Sequence, residues 1–217
     1  QWYHLNENLG GYPYLTQRKE LVQASAEKIK NFIPVFEMSN MLKTISGNYQ
    51  GDQQAALLDF SSFGYEHLIS SNIQTAEIYN NIAVAKILKA QKFCTTAFAQ
   101  LQLPVVIDQS SLMYEASGSK GYDEDMEKFN QYMNEAMENL EKALKLDEEY
   151  WPASVNKSIV LLGMEKFGSC EDELSSKAIR NSSKTYAKTI DPLLSEIKGM
   201  LYYSKGDSVK SKVFSAS

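Results

Sequence analysis

Side chains able to carry catalysis or hold a metal are sparse in this chain, and their spacing assigns them little. Histidine is the most restrictive. With only His4 and His67, the chain lacks an HExxH zinc site, a three-His metal centre and a separated acid and base histidine pair. His4 and Glu7 offer two ligands near a terminus, too few for a structural metal. His67 follows Glu66 at the end of a helical stretch, where a polar or cationic side chain suits the exposed carbonyls. Cys94 and Cys170 stand 76 residues apart in no CxxC pair, which excludes a disulfide-dense scaffold and a multi-Cys zinc site. Cys94 reads as a small buried hydrophobe on an apolar-rich helix. Cys170 lies in the acidic run SCEDE, which disfavours its thiolate. GxGxxG and GxxxxGK[ST] are both absent, and SGSKG at 117–121 lacks the strand and helix that a phosphate cradle needs. An enzyme built on these residues would rely on carboxylates, tyrosine or lysine. No catalytic residue, metal ligand or cofactor is assigned, and the expectation is a non-enzymatic protein.

The chain of 217 residues is 43% hydrophobic and 11% aromatic, enough to bury a core. Its 22 basic and 27 acidic residues give a net charge of −5, without the basic excess that a nucleic-acid partner calls for. No apolar run approaches the ~18 residues of a membrane span. The charge is uneven: residues 123–149 hold ten acids against three lysines, and residues 177–217 hold eight basic against three acidic residues. Opposed ends of this kind steer partners or promote self-association. The chain opens at Gln1 without a charged leader and apolar core, as a processed chain or a piece of a longer one would. The compartment, cytoplasmic or extracytoplasmic, is not legible.

Five prolines and eleven glycines, with Lys, Glu, Ala, Leu, Gln and Met plentiful, favour helix over sheet. Residues 1–14 form an irregular, aromatic lead-in, and residues 15–217 a helical domain. The periodicity predicts helices over 15–32, stopped by Pro34, then 35–46, and 53–68 with Asp52 as N-cap. Residues 73–103 form one long helix or two with a break near Gln91. Pro104 ends that stretch, and residues 104–122 read as a long loop at an edge of the domain. The cleanest amphipathic helix spans 123–146, with Met126, Phe129, Met133, Ala136, Leu140 and Ala143 on its apolar face. Helices over 151–167, from Ser169 to about Thr189, from an Asp191–Pro192 start to Tyr203 closed by Gly206, and over 207–214 complete the expectation. The fold class is all-α.

These helices show degenerate repetition. Gly199, Tyr202 and Gly206, then Tyr79, Ile82 and Ala83, fall at the helix A positions of a 34-residue helical hairpin. Ala136, Leu140 and Ala143, and also Ala56 and Phe60, fall at the helix B positions. Over roughly residues 35–214 the chain resembles a tetratricopeptide repeat (TPR) or TPR-like protein. The resemblance implies antiparallel helix pairs stacked as a short right-handed α-solenoid. The run from Lys86 to Asp108 and the acidic helix after Tyr122 are also similar to the helix-loop-helix of SusD-like outer-membrane nutrient-binding lipoproteins.

The TPR register implies a concave groove lined by Asn80, Asn81, Val84, Asn156, Ile159 and Met200, with Asn81 and Asn156 at equivalent positions. An amide there grips a ligand main chain because it both donates and accepts. Neither Asn81 nor Asn156 falls on an expected core face, so replacing both is expected to spare the fold and weaken binding. Lys86 and Lys157 are the nearby cations. The implied function is a scaffold or adaptor that binds a peptide or partner protein. The alternatives are a SusD-like glycan binder using Trp2, Tyr3, Tyr12 and Tyr14, or the accessory region of a larger enzyme.

Overall fold

A computed structural model describes residues 26–49, 51–93, 98, 103–106, 112–115, 125–207 and 209–211. The lead-in of residues 1–14, the 15–25 part of the first expected helix, Cys94, the SGSKG segment and residues 212–214 lie outside the described residues. Those described are predominantly helical. In chain order they form α1 (Ala26–Ser46), α2 (Gly51–Ser70), α3 (Ala76–Gln91), β1 (Leu103–Val106), β2 (Leu112–Glu115), α4 (Met126–Leu146), α5 (Trp151–Gly163), α6 (Phe167–Leu174) and α7 (Lys177–Ser204). Among the described residues, no helix is long and apolar enough to cross a membrane.

Side-chain caps start three of the helices. Thr75 Oγ1 accepts from the Ile78 N–H of α3, Asp125 Oδ1 from the Lys128 N–H of α4, and Ser176 Oγ from the Ile179 N–H of α7. Gly206, at φ +76°, closes α7 as expected, with Asp207 N–H donating to Tyr202 O at 2.9 Å. The same six-to-one closure follows α2 and α5, where non-glycine residues take the left-handed position: Asn72 at φ +60° and Glu165 at φ +57°.

α1 and α2 run antiparallel, and so do α2 and α3, as their paired cross-contacts show. Ser61 Oγ of α2 donates to Ser39 O of α1 at 2.8 Å while Tyr65 meets Phe36 edge-on at 5.9 Å. Asp59 and Asp52 of α2 hold Lys89 and Lys92 at 2.5 and 3.0 Å. Lys86 of α3 pairs with Glu135 of α4 at 2.6 Å, and Lys157 of α5 with Glu173 of α6 at 3.0 Å. α4 buries Phe129, Met133, Ala136, Leu140 and Ala143, as its three-and-four spacing predicts. Met126, placed by that spacing on the same apolar face, is 44% exposed at the first turn. α3 and α5 are buried on nearly every side, polar positions included. They form the centre of the molecule.

Several boundaries differ from the sequence reading. Pro34 does not stop a helix; α1 runs through it. Pro34 is exposed, a side where a carbonyl without its intrahelical donor can be satisfied by water. Asp52 lies within the first turn of α2 rather than capping it. The stretch from Ile73 forms α3 and stops at Gln91, where the sequence allows a break between two helices. Ser169 sits inside α6 and caps nothing. The helix expected to open at Asp191–Pro192 is part of α7, whose one non-helical residue is Tyr186 (φ −122°, ψ 31°). Pro192 removes the N–H that would bond the Lys188 carbonyl and crowds that carbonyl, which places the disturbance upstream of the ring.

The largest correction concerns residues 104–122. Leu103–Val106 and Leu112–Glu115 pair as an antiparallel ribbon with Val106 opposite Leu112. Val105 and Val106 are fully buried. Adjacent residues of a strand point to opposite faces, so β1 is covered on both. β1 therefore lies in the core, not at an edge of the domain.

Candidate functional site

The described residues with the most concentrated polar chemistry lie where α3, α5 and β1 meet. Asn80 and Asn156 reach from the two central helices toward one peptide residue of the strand. The Val106 N–H donates to Asn156 Oδ1 at 2.9 Å. The Val106 carbonyl accepts from Asn156 Nδ2 at 2.7 Å and from Asn80 Nδ2 at 2.8 Å. Asn156 Nδ2 also donates to Asn80 Oδ1 at 2.7 Å, tying the two helices together. Both main-chain groups of Val106 therefore face away from β2, and the Asn156 amide pairs with them as a further strand would. Asparagine suits this because one short planar group supplies both acceptor and donor.

The network continues outward. Asn80 Nδ2 contacts Asn81 Oδ1 at 3.3 Å, and Asn81 Nδ2 donates to Asn40 Oδ1 of α1 at 3.0 Å. Tyr65 of α2 donates its hydroxyl to the same Asn40 oxygen. A chain of side chains thus links α1, α2, α3 and α5 to the main chain of β1. Buried polar groups of this kind cost little only when every member is satisfied.

The groove residues expected from the repeat register are not on an open surface. Asn80, Asn81, Val84, Asn156 and Ile159 are all fully buried, and Met200 is partly buried against the same core. The structure brings Asn80 and Asn156 together on one peptide group. Asn81 turns instead toward Asn40. The expectation that Asn81 and Asn156 avoid the core is wrong: β1 fills the space between the helices and excludes solvent. Lys86 and Lys157 are held by Glu135 and Glu173. Asn40, Tyr65 and the Val106 backbone are not legible in the sequence, since no local spacing links residues 25 or more positions apart.

A second feature is a shallow cleft of about 120 Å³ between α2, α3 and α4, lined by Leu58, Asp59, Leu88, Lys89, Phe93 and Tyr132 among others. Phe93 and Tyr132 stack at 5.8 Å, and the Lys89 ammonium lies 4.8 Å from the Tyr132 ring centre. Burial alone would lower the Lys89 pKa, but the Asp59 carboxylate outweighs it and the net shift is upward. The lysine is a paired cation that packs two helices, not a proton donor near neutrality.

Cys170 is fully exposed to none of this chemistry: it is buried in α6, and its Sγ lies 3.3 Å from Ser158 O as a donor. Burial, with Glu171 and Glu173 beside it, pushes its pKa up to about 12. Alkylation followed by mass spectrometry is expected to leave Cys170 unmodified in the folded protein at mildly alkaline pH and to modify it after unfolding. Labelling at the rate of a free thiol in the folded protein would contradict this. The fold holds the neutral thiol, so its contribution is intact below the ordinary thiol range and is lost as pH climbs toward 12.

Among the described residues no three His, Cys, Asp or Glu side chains converge as a metal site would require. His4, Cys94 and the aromatic residues Trp2, Tyr3, Tyr12 and Tyr14 fall outside the described residues. His67 is exposed in the last turn of α2. In comparison with known proteins, the chain matches no family model, no curated protein and no solved structure.

Proposed function

We propose that this chain is a non-enzymatic helical scaffold, its antiparallel helix pairs stacked as a short TPR-like right-handed solenoid, that binds a peptide or an extended segment of a partner protein. The observation that supports the reading is the amide pair Asn80 and Asn156 on the main chain of Val106. A side-chain amide that takes both groups of one peptide residue recognises extended backbone whatever its side chains are, as strand addition does. Selectivity then comes from the space that Val105 and Val106 fill, which fits two adjacent β-branched apolar residues. In this reading β1 occupies the recognition cleft, and a partner segment takes its place by strand replacement.

The test uses a chain in which residues 103–115 are replaced by a Gly/Ser linker, together with a synthetic peptide of sequence LQLPVVID, residues 101–108. The peptide is expected to bind the linker variant, or to restore its helical circular-dichroism spectrum if the variant is partly unfolded. Adding Asn156→Leu should weaken that binding by at least tenfold, since two or more buried hydrogen bonds are lost. A linker variant that neither binds the peptide nor responds to it rules this reading out.

A further inference from the structure

One face of α2 has no neighbour among the described residues. Gln53, Ala56, Phe60, Phe63, His67 and Ser70 follow one another at intervals of three and four, and all six are exposed. Phe60 and Phe63 at its centre are 65% and 70% exposed. The TPR register had placed Ala56 and Phe60 at core positions of a B helix; the structure turns both outward. The opposite side of α2, with Leu58, Ser61, Tyr65 and Leu68, is buried against α1 and α3. Rotation of the helix therefore cannot hide the rings. Alternating three-and-four spacing is that of a coiled-coil seam, and this seam holds no Asp, Glu, Lys or Arg. Of the carboxylates beside it, Asp52 and Asp59 are held by Lys92 and Lys89.

We propose that this face is the interface of a homodimer, in which α2 of a second copy lies antiparallel across it. The seam is self-complementary, as an isologous interface requires. A two-fold axis between Phe60 and Phe63 sets each Phe60 against the other copy's Phe63, the small Ala56 against His67, and Gln53 against Ser70. Antiparallel helices meet in this alternation, and the central rings gain offset contacts as well as burial. An anionic membrane is a poorer occupant, because α2 carries Asp52, Asp59 and Glu66 and no lysine or arginine. Four rings remove roughly 500 Å² from water, under half of the ~1,200 Å² at the lower edge of stable interfaces. The flanking pairs add to that area. The dimer is accordingly weak, and its population rises with concentration.

Sedimentation equilibrium over a wide range of protein concentration tests this. Wild type is expected to shift from monomer to dimer with rising concentration. Phe60→Glu/Phe63→Glu, and separately Ala56→Arg, are expected to raise the Kd at least tenfold. Both variants should keep the wild-type melting curve, since none of the three side chains packs in the monomer core. A wild type that stays monomeric at every concentration overturns the proposal. So does a variant that folds and dimerises as tightly as wild type.

Discussion

Asn156→Leu is expected to destabilise the fold by about 1–3 kcal/mol or more, although leucine keeps the branched heavy-atom skeleton of asparagine. The substitution removes the acceptor of the Val106 N–H and the donor to Asn80 Oδ1, both at positions sealed from solvent. A buried polar group left without a partner costs roughly 1–3 kcal/mol, and the Val106 N–H becomes one. The Val106 carbonyl keeps its bond from Asn80, so Asn80→Leu alone should cost less. The two substitutions should not add, because each breaks the bond between the two amides. Urea unfolding of the two single variants and the double variant reads this directly. If Asn156→Leu leaves the midpoint where it is in wild type, the amide clamp does not hold β1. This result is the reverse of what the repeat register implied for the same residue.

The second large effect is expected from Leu140→Ala in α4. Leu140 is fully buried in the main hydrophobic cluster, and truncation there removes transfer energy and leaves a cavity, at a cost of roughly 2–5 kcal/mol. Met126→Ala in the same helix provides the contrast. Met126 is 44% exposed, and its replacement should change stability by no more than about 0.5 kcal/mol. Thermal and denaturant melts of the two variants should separate clearly. Equal melting points would mean that the side of α4 facing the core is misassigned.

Local signals explain why so much of the helical framework was legible. The spacing of Phe129, Met133, Ala136, Leu140 and Ala143 is a property of one helix, and so is its burial. Gly206 closes α7 because the left-handed position it fills is set within a single turn. Signals of the same local kind failed where a competing local effect was left out. Pro34 and Pro192 read as boundaries, yet each is carried inside a helix, since surrounding contacts outweigh the loss of one intrahelical bond. Asn72 and Glu165 close helices where glycine is usual; asparagine tolerates the left-handed backbone, whereas nothing local to Glu165 signals it.

The sequence alone determined the all-α class and the main core-facing stripe. The TPR register singled out Asn81 and Asn156 as main-chain-binding amides, with Asn80 as a further groove position. What it did not determine is the partner of those amides. Proline, serine and glycine between 104 and 122 are equally consistent with a solvated loop and with a short ribbon, because strand formation there depends on what lies beside it. Only the tertiary structure brings α3 and α5 together beside Val106, 26 and 50 residues away from it along the chain. Burial then follows from topology: once β1 enters between the helices, its peptide groups lose water and must find side-chain partners. The exposure of Phe60 and Phe63 was decided the same way, by which face of α2 its neighbours left uncovered.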